Sequence, residues 1–239
     1  MQSLGHSRSA HRADHLLHTP DTFVRAAWPG MRNAVAIVHA APAIGTKFTQ
    51  YTVEFDAGGE LPVTGLQRFI YVLDGELTVG EAVLSPGGYA YLPPGSAGVS
   101  TTSACRAAVI EKPYVPLDGV SQPSATFTGF ERNLVPQPLM GDPDLEVRSM
   151  IPAETAFDFA VNTMSFRPGA ALAMVEVHVM EHGLLFLEGG GIYRLGECWY
   201  PVTKGDFIYM APYCPQWFGA LGKTPSKYLI YKDWNRVAV

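Results

Sequence analysis

Short runs of β-branched and aromatic residues, rather than long amphipathic repeats, dominate the hydrophobic pattern of this chain. Between these runs lie turn signals rich in Gly, Pro and Asp, such as DAGGE, LDGE, SPGG and RPGA. No strong helical period is sustained, so the pattern predicts many short strands, as in a sandwich or a barrel. The predicted strands are FTQYTVEF, RFIYVL, YAYLPP, AAVIEK, NTMSF, MVEVHVM, LLFLEG, FIYMAP and KYLIYK.

The second half of the chain repeats the motifs of the first half in the same order. FDAG at Phe55 matches FRPG at Phe166, and FIYVLDGELTV matches LLFLEGGGIYRL. LSPGGYAYLPPGSAG matches VTKGDFIYMAPYCPQ, and VIEK ending at Lys112 matches LIYK ending at Lys232. Matched blocks in one order predict two copies of one all-β unit.

The segment PYVPLDGVSQPSATFTG has the composition of a linker, which predicts a seam between Pro113 and Pro138. We therefore expect three regions: an N-terminal arm at 1–33, a first barrel at 34–125 and a second barrel at 126–239.

The N-terminal region contains four histidines. Their uneven spacing in a polar terminal segment is more typical of a mobile arm than of a metal cluster. These histidines are His6, His11, His15 and His18.

Composition and charge exclude several classes of protein. Of 239 residues, 47% are hydrophobic and 16% charged, which is enough to bury the cores of two domains. The net charge of −5 and the lack of a long basic run argue against nucleic acid or an anionic membrane as a partner. The polar N-terminus lacks the apolar core of a secretory signal. Cys105, Cys198 and Cys214 suggest no disulfide framework, so we expect a cytoplasmic protein.

The segment MVEVHVMEHG contains the strongest candidate for chemistry. On a continuous strand, Glu176, His178, Met180 and His182 share one face, and the valines take the other. Such a face is often only the solvent side of an antiparallel sheet. Three strong ligand types on one face, with methionines beside them, instead favour an enclosed metal site.

Each repeat has a Gly turn with two strands, followed by a Gly-led strand that ends in Pro-rich sequence. This arrangement resembles the two motifs of the cupin superfamily, whose members are jelly-roll β-barrels. Against the usual cupin motif, Glu176 and His178 fall at the two His positions and His182 at the Glu position. Gln216, in APYCPQW, falls at the final His position. The resemblance implies that these four residues bind a divalent metal, and their thiolate-free chemistry favours Mn²⁺ or Fe²⁺.

The first barrel serves as an internal control. Its aligned positions carry Pro62, Thr64, Arg68 and Gly98, a set that cannot coordinate a metal. We therefore expect a metal-free first barrel, kept for packing, for assembly or for closing the pocket.

A more specific resemblance rests on E-x-H-x-x-E-H from Glu176, on Gln216, and on the ending Y-x-x-Y-K-D-x-N-R. Together these are similar to the (S)-ureidoglycine aminohydrolase family. The resemblance implies a bicupin with manganese in its C-terminal barrel, which hydrolyses ureidoglycine to ureidoglycolate and ammonia in purine catabolism. It also implies substrate contacts from Tyr193, Tyr228 and Lys232.

The chemistry of these residues suits a small ureido substrate. Lys232 offers a positive charge to a carboxylate, and Tyr193 and Tyr228 offer hydroxyl donors. Glu176 and Lys232 are the candidates for moving protons. Each also has a simpler interpretation: the tyrosines as barrel wall, and Lys232 as a surface partner of a neighbouring aspartate.

Three rival functions remain open. One is another metal-dependent cupin enzyme, such as a dioxygenase, and another is a non-catalytic small-molecule-binding cupin. A sugar isomerase is the third. Cys214 could line the pocket mouth or could be a small buried apolar residue. Because cupin barrels often pair through their sheets, we also expect a homo-oligomer.

Overall fold

The computed structural model describes residues 6–236, and this part of the chain is built from β-strands. Its helical elements are short 3₁₀ helices at Pro20–Thr22, Pro42–Ile44 and Glu131–Asn133. No described helix is long and apolar enough to cross a membrane. The predicted all-β class is confirmed.

The strands follow one another closely along the chain. The first eleven are β1 Ala10–His11, β2 His15–His18, β3 Arg32–Ala40, β4 Thr49–Leu61, β5 Gln67–Asp74, β6 Leu77–Val79, β7 Ala82–Leu84, β8 Gly88–Leu92, β9 Val99–Ser100, β10 Cys105–Lys112 and β11 Phe127–Phe130. The remaining nine are β12 Gln137–Leu139, β13 Asp142–Ser149, β14 Phe159–Phe166, β15 His182–Glu188, β16 Gly190–Leu195, β17 Cys198–Thr203, β18 Phe207–Met210, β19 Gln216–Ala220 and β20 Ser226–Asp233.

These strands form two compact units. The unit called here the N-terminal barrel consists of Val24–Leu134 with Glu154–Phe157. The C-terminal barrel consists of the described chain up to Phe23, of Val135–Ala153, and of the described chain from Asp158 onward. The units therefore interleave along the chain, whereas the sequence suggested consecutive segments at 1–33, 34–125 and 126–239.

One nine-stranded sheet builds the N-terminal barrel. Its order is β11-β8-β5-β10-β4-β9-β6-β7, with β3 added beside β4. The alternate residues that face inward form an apolar core, which includes Val53, Ile70, Val72 and Val109.

An eight-stranded and a three-stranded sheet build the C-terminal barrel. The larger has the order β1-β2-β18-β15-β20-β14-β13-β12, and the smaller has the order β17-β16-β19. Its series β18-β15-β20-β14 reproduces β8-β5-β10-β4 of the other barrel, so the repeat in the sequence corresponds to a repeat in topology.

Strand pairing corrects one detail of the repeat alignment. The sequence match placed Glu111 opposite Tyr231 of the second copy. In the sheets, however, Glu111 pairs with Arg68 and Lys232 pairs with His182. Because Arg68 and His182 are equivalent, the counterpart of Glu111 is Lys232. A shift of one residue matters here, since it moves a side chain to the opposite face of a strand.

Part of the predicted N-terminal arm is a structural strand of the C-terminal barrel. His15–His18 pairs antiparallel with β18, and the side chains of His15 and Leu17 are buried. The expectation of a mobile arm was wrong for this stretch, because pairing with β18 buries the alternate side chains of His15 and Leu17. The first five residues of that arm, and the last three of the chain, lie outside the described residues.

We predict that Leu17→Ala destabilises the protein by about 2–5 kcal/mol, because Leu17 is fully buried in the core of the C-terminal barrel. Leu16→Ala is the matched control, since the neighbouring Leu16 is only half-buried. Urea unfolding of both variants measures the difference. Equal losses of stability would show that this segment does not contribute its inner face to the core.

Candidate metal centre

The segment between β14 and β15 carries two of the predicted metal ligands, and it is not the strand that the sequence predicted. Within MVEVHVM, Glu176 alone makes a ladder contact, as an isolated antiparallel bridge with Gln216. The valines expected to pack on the outer face remain exposed, at 39% for Val175, 55% for Val177 and 37% for Val179. Without a neighbouring strand to cover these side chains, MVEVHVM forms a loop.

Backbone hydrogen bonds hold this loop in place. Glu176 N–H donates to Gln216 O at 2.8 Å, and Gln216 N–H donates to Glu176 O at 2.9 Å. Tyr213 N–H donates to His178 O at 2.6 Å. Glu176 and Gln216, which are far apart in sequence, are thereby fixed side by side.

His178 lies between the other predicted ligands. Its Nε2 is 3.2 Å from Glu176 Oε2, and its ring centroid is 5.2 Å from that of His182. The predicted ligands are therefore close in pairs. However, Glu176, His178 and His182 do not form a group whose ligand atoms all lie within 4.8 Å of one another. Another trio of described residues does.

Of the two histidines among the predicted ligands, His182 is the more deeply buried. It begins β15 with 3% of its surface exposed, and its Nδ1 has no hydrogen-bond partner in the structure. Burial, together with the nearby His178 and Lys232, lowers the pKa of His182 to about 3. The ring is therefore neutral near pH 7, which is the form that binds a cation.

Tyr193 supports Gln216 from behind. The Tyr193 hydroxyl donates to Gln216 Oε1 at 3.1 Å, and both side chains are buried. Burial raises the pKa of Tyr193, as does the nearby Glu176, so the hydroxyl remains a proton donor. Tyr228 is also buried, and burial raises its pKa as well.

Lys232 lies directly across from His182, because these two residues pair in the β15–β20 ladder. Its Nζ lies 4.9 Å from the centroid of the Trp234 ring. With the amide of Asn162 oriented oxygen toward the lysine, Nζ donates to it at 3.3 Å. Burial lowers the pKa of Lys232, and the negative charge of Glu176 opposes this effect.

The simpler interpretation of Lys232 as a surface ion-pair partner is not what the contacts favour. Asp206 instead pairs with Arg8 at 2.6 Å, and Asp233 accepts a hydrogen bond from Tyr231 at 2.7 Å. Lys232 is left facing the predicted ligands.

Comparisons with known proteins place these residues in a family. A scan against protein-family profiles gives no match. The (S)-ureidoglycine aminohydrolase of Arabidopsis thaliana is 40% identical over 97% of this chain and 80% of its own length. That of Escherichia coli is 33% identical over 92% of this chain and 88% of its own. This chain belongs to the (S)-ureidoglycine aminohydrolase family. It is therefore an enzyme of the hydrolase class.

Solved structures support the same fold for this family member. The E. coli protein Ylba matches with a TM-score of 0.85 and 30% identity, covering 98% of this chain and 97% of its own. Oxalate decarboxylase OxdC of Bacillus subtilis matches with a TM-score of 0.70 over 97% of this chain and 80% of its own. At 11% identity the second match concerns the fold alone. The predicted tandem cupin barrels are confirmed.

Sequence reasoning missed one cluster in this aminohydrolase-family chain. Among the described residues, Asp14, His15 and Cys214 form the trio with ligand atoms all within 4.8 Å. Both ring nitrogens of His15 already have partners, at 2.8 Å to Asp14 Oδ1 and 2.8 Å to Tyr200 Oη. Burial raises the pKa of Cys214 to about 12, so its thiol stays protonated.

In this arrangement the trio ties the N-terminal strand to the barrel, and Cys214 is buried rather than at a pocket mouth. Strand periodicity over HLLH, which sets His15 on the same face as the apolar Leu17, is the signal that could have placed His15 inside.

We predict that Tyr193→Phe lowers the affinity for Mn²⁺ by about 10- to 100-fold, because it removes the hydroxyl that orients Gln216. Tyr228→Phe is the matched control, since its hydroxyl makes no such bond to Gln216. Metal titration of both variants, followed by the Mn²⁺ electron paramagnetic resonance signal, measures the difference. Unchanged affinity in Tyr193→Phe would remove Gln216 from the ligand set.

Proposed function

We propose that this protein hydrolyses (S)-2-ureidoglycine to (S)-ureidoglycolate and ammonia, a step in the breakdown of purines. The names of its relatives in Arabidopsis and E. coli support this reaction. The structural observation that supports this reaction is the β15–β20 register, which sets the half-buried Lys232 across from His182. His182 lies near the Glu176–His178 pair.

We further propose that Glu176, His178, His182 and Gln216 hold a divalent cation, Mn²⁺ in the first place. A buried imidazole nitrogen without a partner costs free energy, and a cation beside His182 would satisfy it. Two imidazoles, a carboxylate and an amide oxygen suit Mn²⁺ or Fe²⁺ better than a thiolate-type zinc site. When bound, such a cation supplies Lewis-acid chemistry.

Lys232 is the group that receives the substrate carboxylate. Its Nζ is held by Asn162 and by the face of Trp234, so it reaches the centre in a fixed position. Glu176 adds negative charge that counteracts the loss of the lysine's proton on burial. A fixed positive charge at this place orients the substrate for reaction.

The reaction needs one water and no redox partner. The carbon–nitrogen bond to the amine breaks, and a carbon–oxygen bond to the water forms at the same carbon. One proton of the water ends on the nitrogen, which leaves as ammonia. Glu176 and Lys232 are the side chains proposed to carry that proton.

We predict that the manganese-loaded protein accelerates ammonia release from freshly generated ureidoglycine. His182→Ala should lose both bound manganese and rate. Lys232→Met should keep its manganese but lose about 10- to 100-fold in kcat/KM, because it lacks the charge that binds the carboxylate. Lys227→Met is the matched control on the same strand, since Lys227 pairs at 3.0 Å with the exposed Glu188.

Ammonia release no faster than spontaneous decay would reject the aminohydrolase activity. Oxygen uptake by the Fe²⁺-loaded protein in its place would favour a dioxygenase. Full metal content in His182→Ala would reject the ligand assignment even if the activity were present.

We also propose that the protein forms a homo-oligomer. Support comes from the exposed apolar side chains of Met174, Val175, Val177 and Val179, since a cluster of this kind is typical of a contact surface. Sedimentation velocity of the full chain should give a mass above that of one chain, and Val177→Glu should lower it. A monomer at all concentrations would contradict the proposal.

A further inference from the structure

The N-terminal barrel contains a cavity of about 150 Å³ that no role has been given. Its lining combines six apolar residues with four polar ones. Pro29 and Val63 line it and are exposed, so the cavity reaches the surface. The polar lining residues are Tyr51, Thr64, Arg68 and Glu111.

Two buried charges meet at this cavity. Arg68 and Glu111 are 3% and 5% exposed, and Arg68 Nε donates to Glu111 Oε1 at 2.6 Å. Arg68 Nη1 donates to Pro62 O at 3.0 Å. A guanidinium has more N–H donors, and a carboxylate more acceptor sites, than these contacts use. A buried pair of this kind is costly to desolvate unless further hydrogen bonds complete it.

The pair occupies the positions that form the candidate metal centre in the other barrel. Arg68 takes the place of His182, and Glu111 that of Lys232. By the same ladders, Tyr51 takes the place of Asn162, since each lies across from an equivalent residue of β10 or β20. The pKa of Tyr51 is raised by burial and by Glu111, which is consistent with its hydroxyl lying beside the pair. In the N-terminal barrel, these three positions line the cavity and none of them carries a histidine.

The walls of the cavity favour a flat ligand. The Trp28 and Tyr51 rings are stacked, with centroids 5.5 Å apart and planes 14° apart, and both line the cavity. Met31 and Leu61 complete an apolar surround. A cavity of 150 Å³ holds a molecule of about six non-hydrogen atoms.

We propose that the N-terminal barrel binds a small, neutral, planar molecule of the amide or urea class. Its carbonyl oxygen would accept from Arg68, and its N–H groups would donate to Glu111. A bare carboxylate is repelled by Glu111, and a bare ammonium by Arg68. A neutral molecule also loses less hydration than an ion on entering the cavity.

The experiment uses the full-length, metal-loaded protein labelled with 5-fluorotryptophan and titrated with N-methylurea. Mg²⁺ replaces Mn²⁺ to keep the fluorine signals sharp, and Trp28→Phe identifies the signal of Trp28. We expect a saturable shift of that signal. Acetate and methylammonium, which each carry half of the recognition pattern, should give no saturable shift of it at matched concentrations.

Variants of the cavity test the geometry. Val63→Phe, at the exposed mouth, should abolish the shift, whereas Val63→Ala should preserve it. Glu111→Gln should weaken binding about tenfold or more, because the charged acceptor is lost. If it fails to fold, the Val63 pair alone decides the outcome.

An absent shift in the wild-type protein, or equal shifts with acetate or methylammonium, would overturn the proposal. So would an unchanged shift in Val63→Phe. Ammonia release from ureidoglycine reports on the C-terminal barrel. A negative binding result for this cavity therefore does not affect the test of the aminohydrolase activity.

Discussion

Two backbone hydrogen bonds join Glu176 to Gln216, and the candidate metal centre depends on them. The loop that carries Glu176 and His178 has no strand partner along most of its length, and its valines face solvent. Together with the Ala171–Gly219 bridge and the hydrogen bond from Tyr213 N–H to His178 O, this bridge fixes the direction of the loop. The bridge also explains why Gln216, rather than a more distant residue of β19, accompanies the two histidines.

Beyond this bridge, the barrel register distributes the chemistry. The same ladder positions carry His182, Lys232 and Asn162 in one barrel, and Arg68, Glu111 and Tyr51 in the other. One backbone frame therefore presents two different sets of side chains inward. The first set leaves a neutral imidazole beside a lysine, whereas the second contains an ion pair that is neutral as a whole. Duplication preserved the geometry, and substitution changed the chemistry.

Much of this was predictable because it is local. Alternation, turns and the order of repeated blocks predicted most of the strands and the two barrels. The loop at Val175–Val179 was not predictable, since alternation alone does not reveal whether a neighbouring strand exists. The burial of His15 depends on pairing with β18, nearly the whole chain away. The partner of Arg68 required the register, because a slip of one residue in the alignment changes which side chain faces inward.

Each half of the chain contributes an edge strand to the barrel that the other half forms. β2 precedes the N-terminal barrel in sequence yet extends the sheet of the C-terminal barrel beside β18. β11 follows the last long strand of the N-terminal barrel and lies at the equivalent edge, beside β8. A gene broken ahead of β11 would therefore leave each fragment missing an edge strand, with unpaired backbone exposed to aggregation. Each half therefore completes the sheet of the other, even though the chemistry proposed for each barrel is separate.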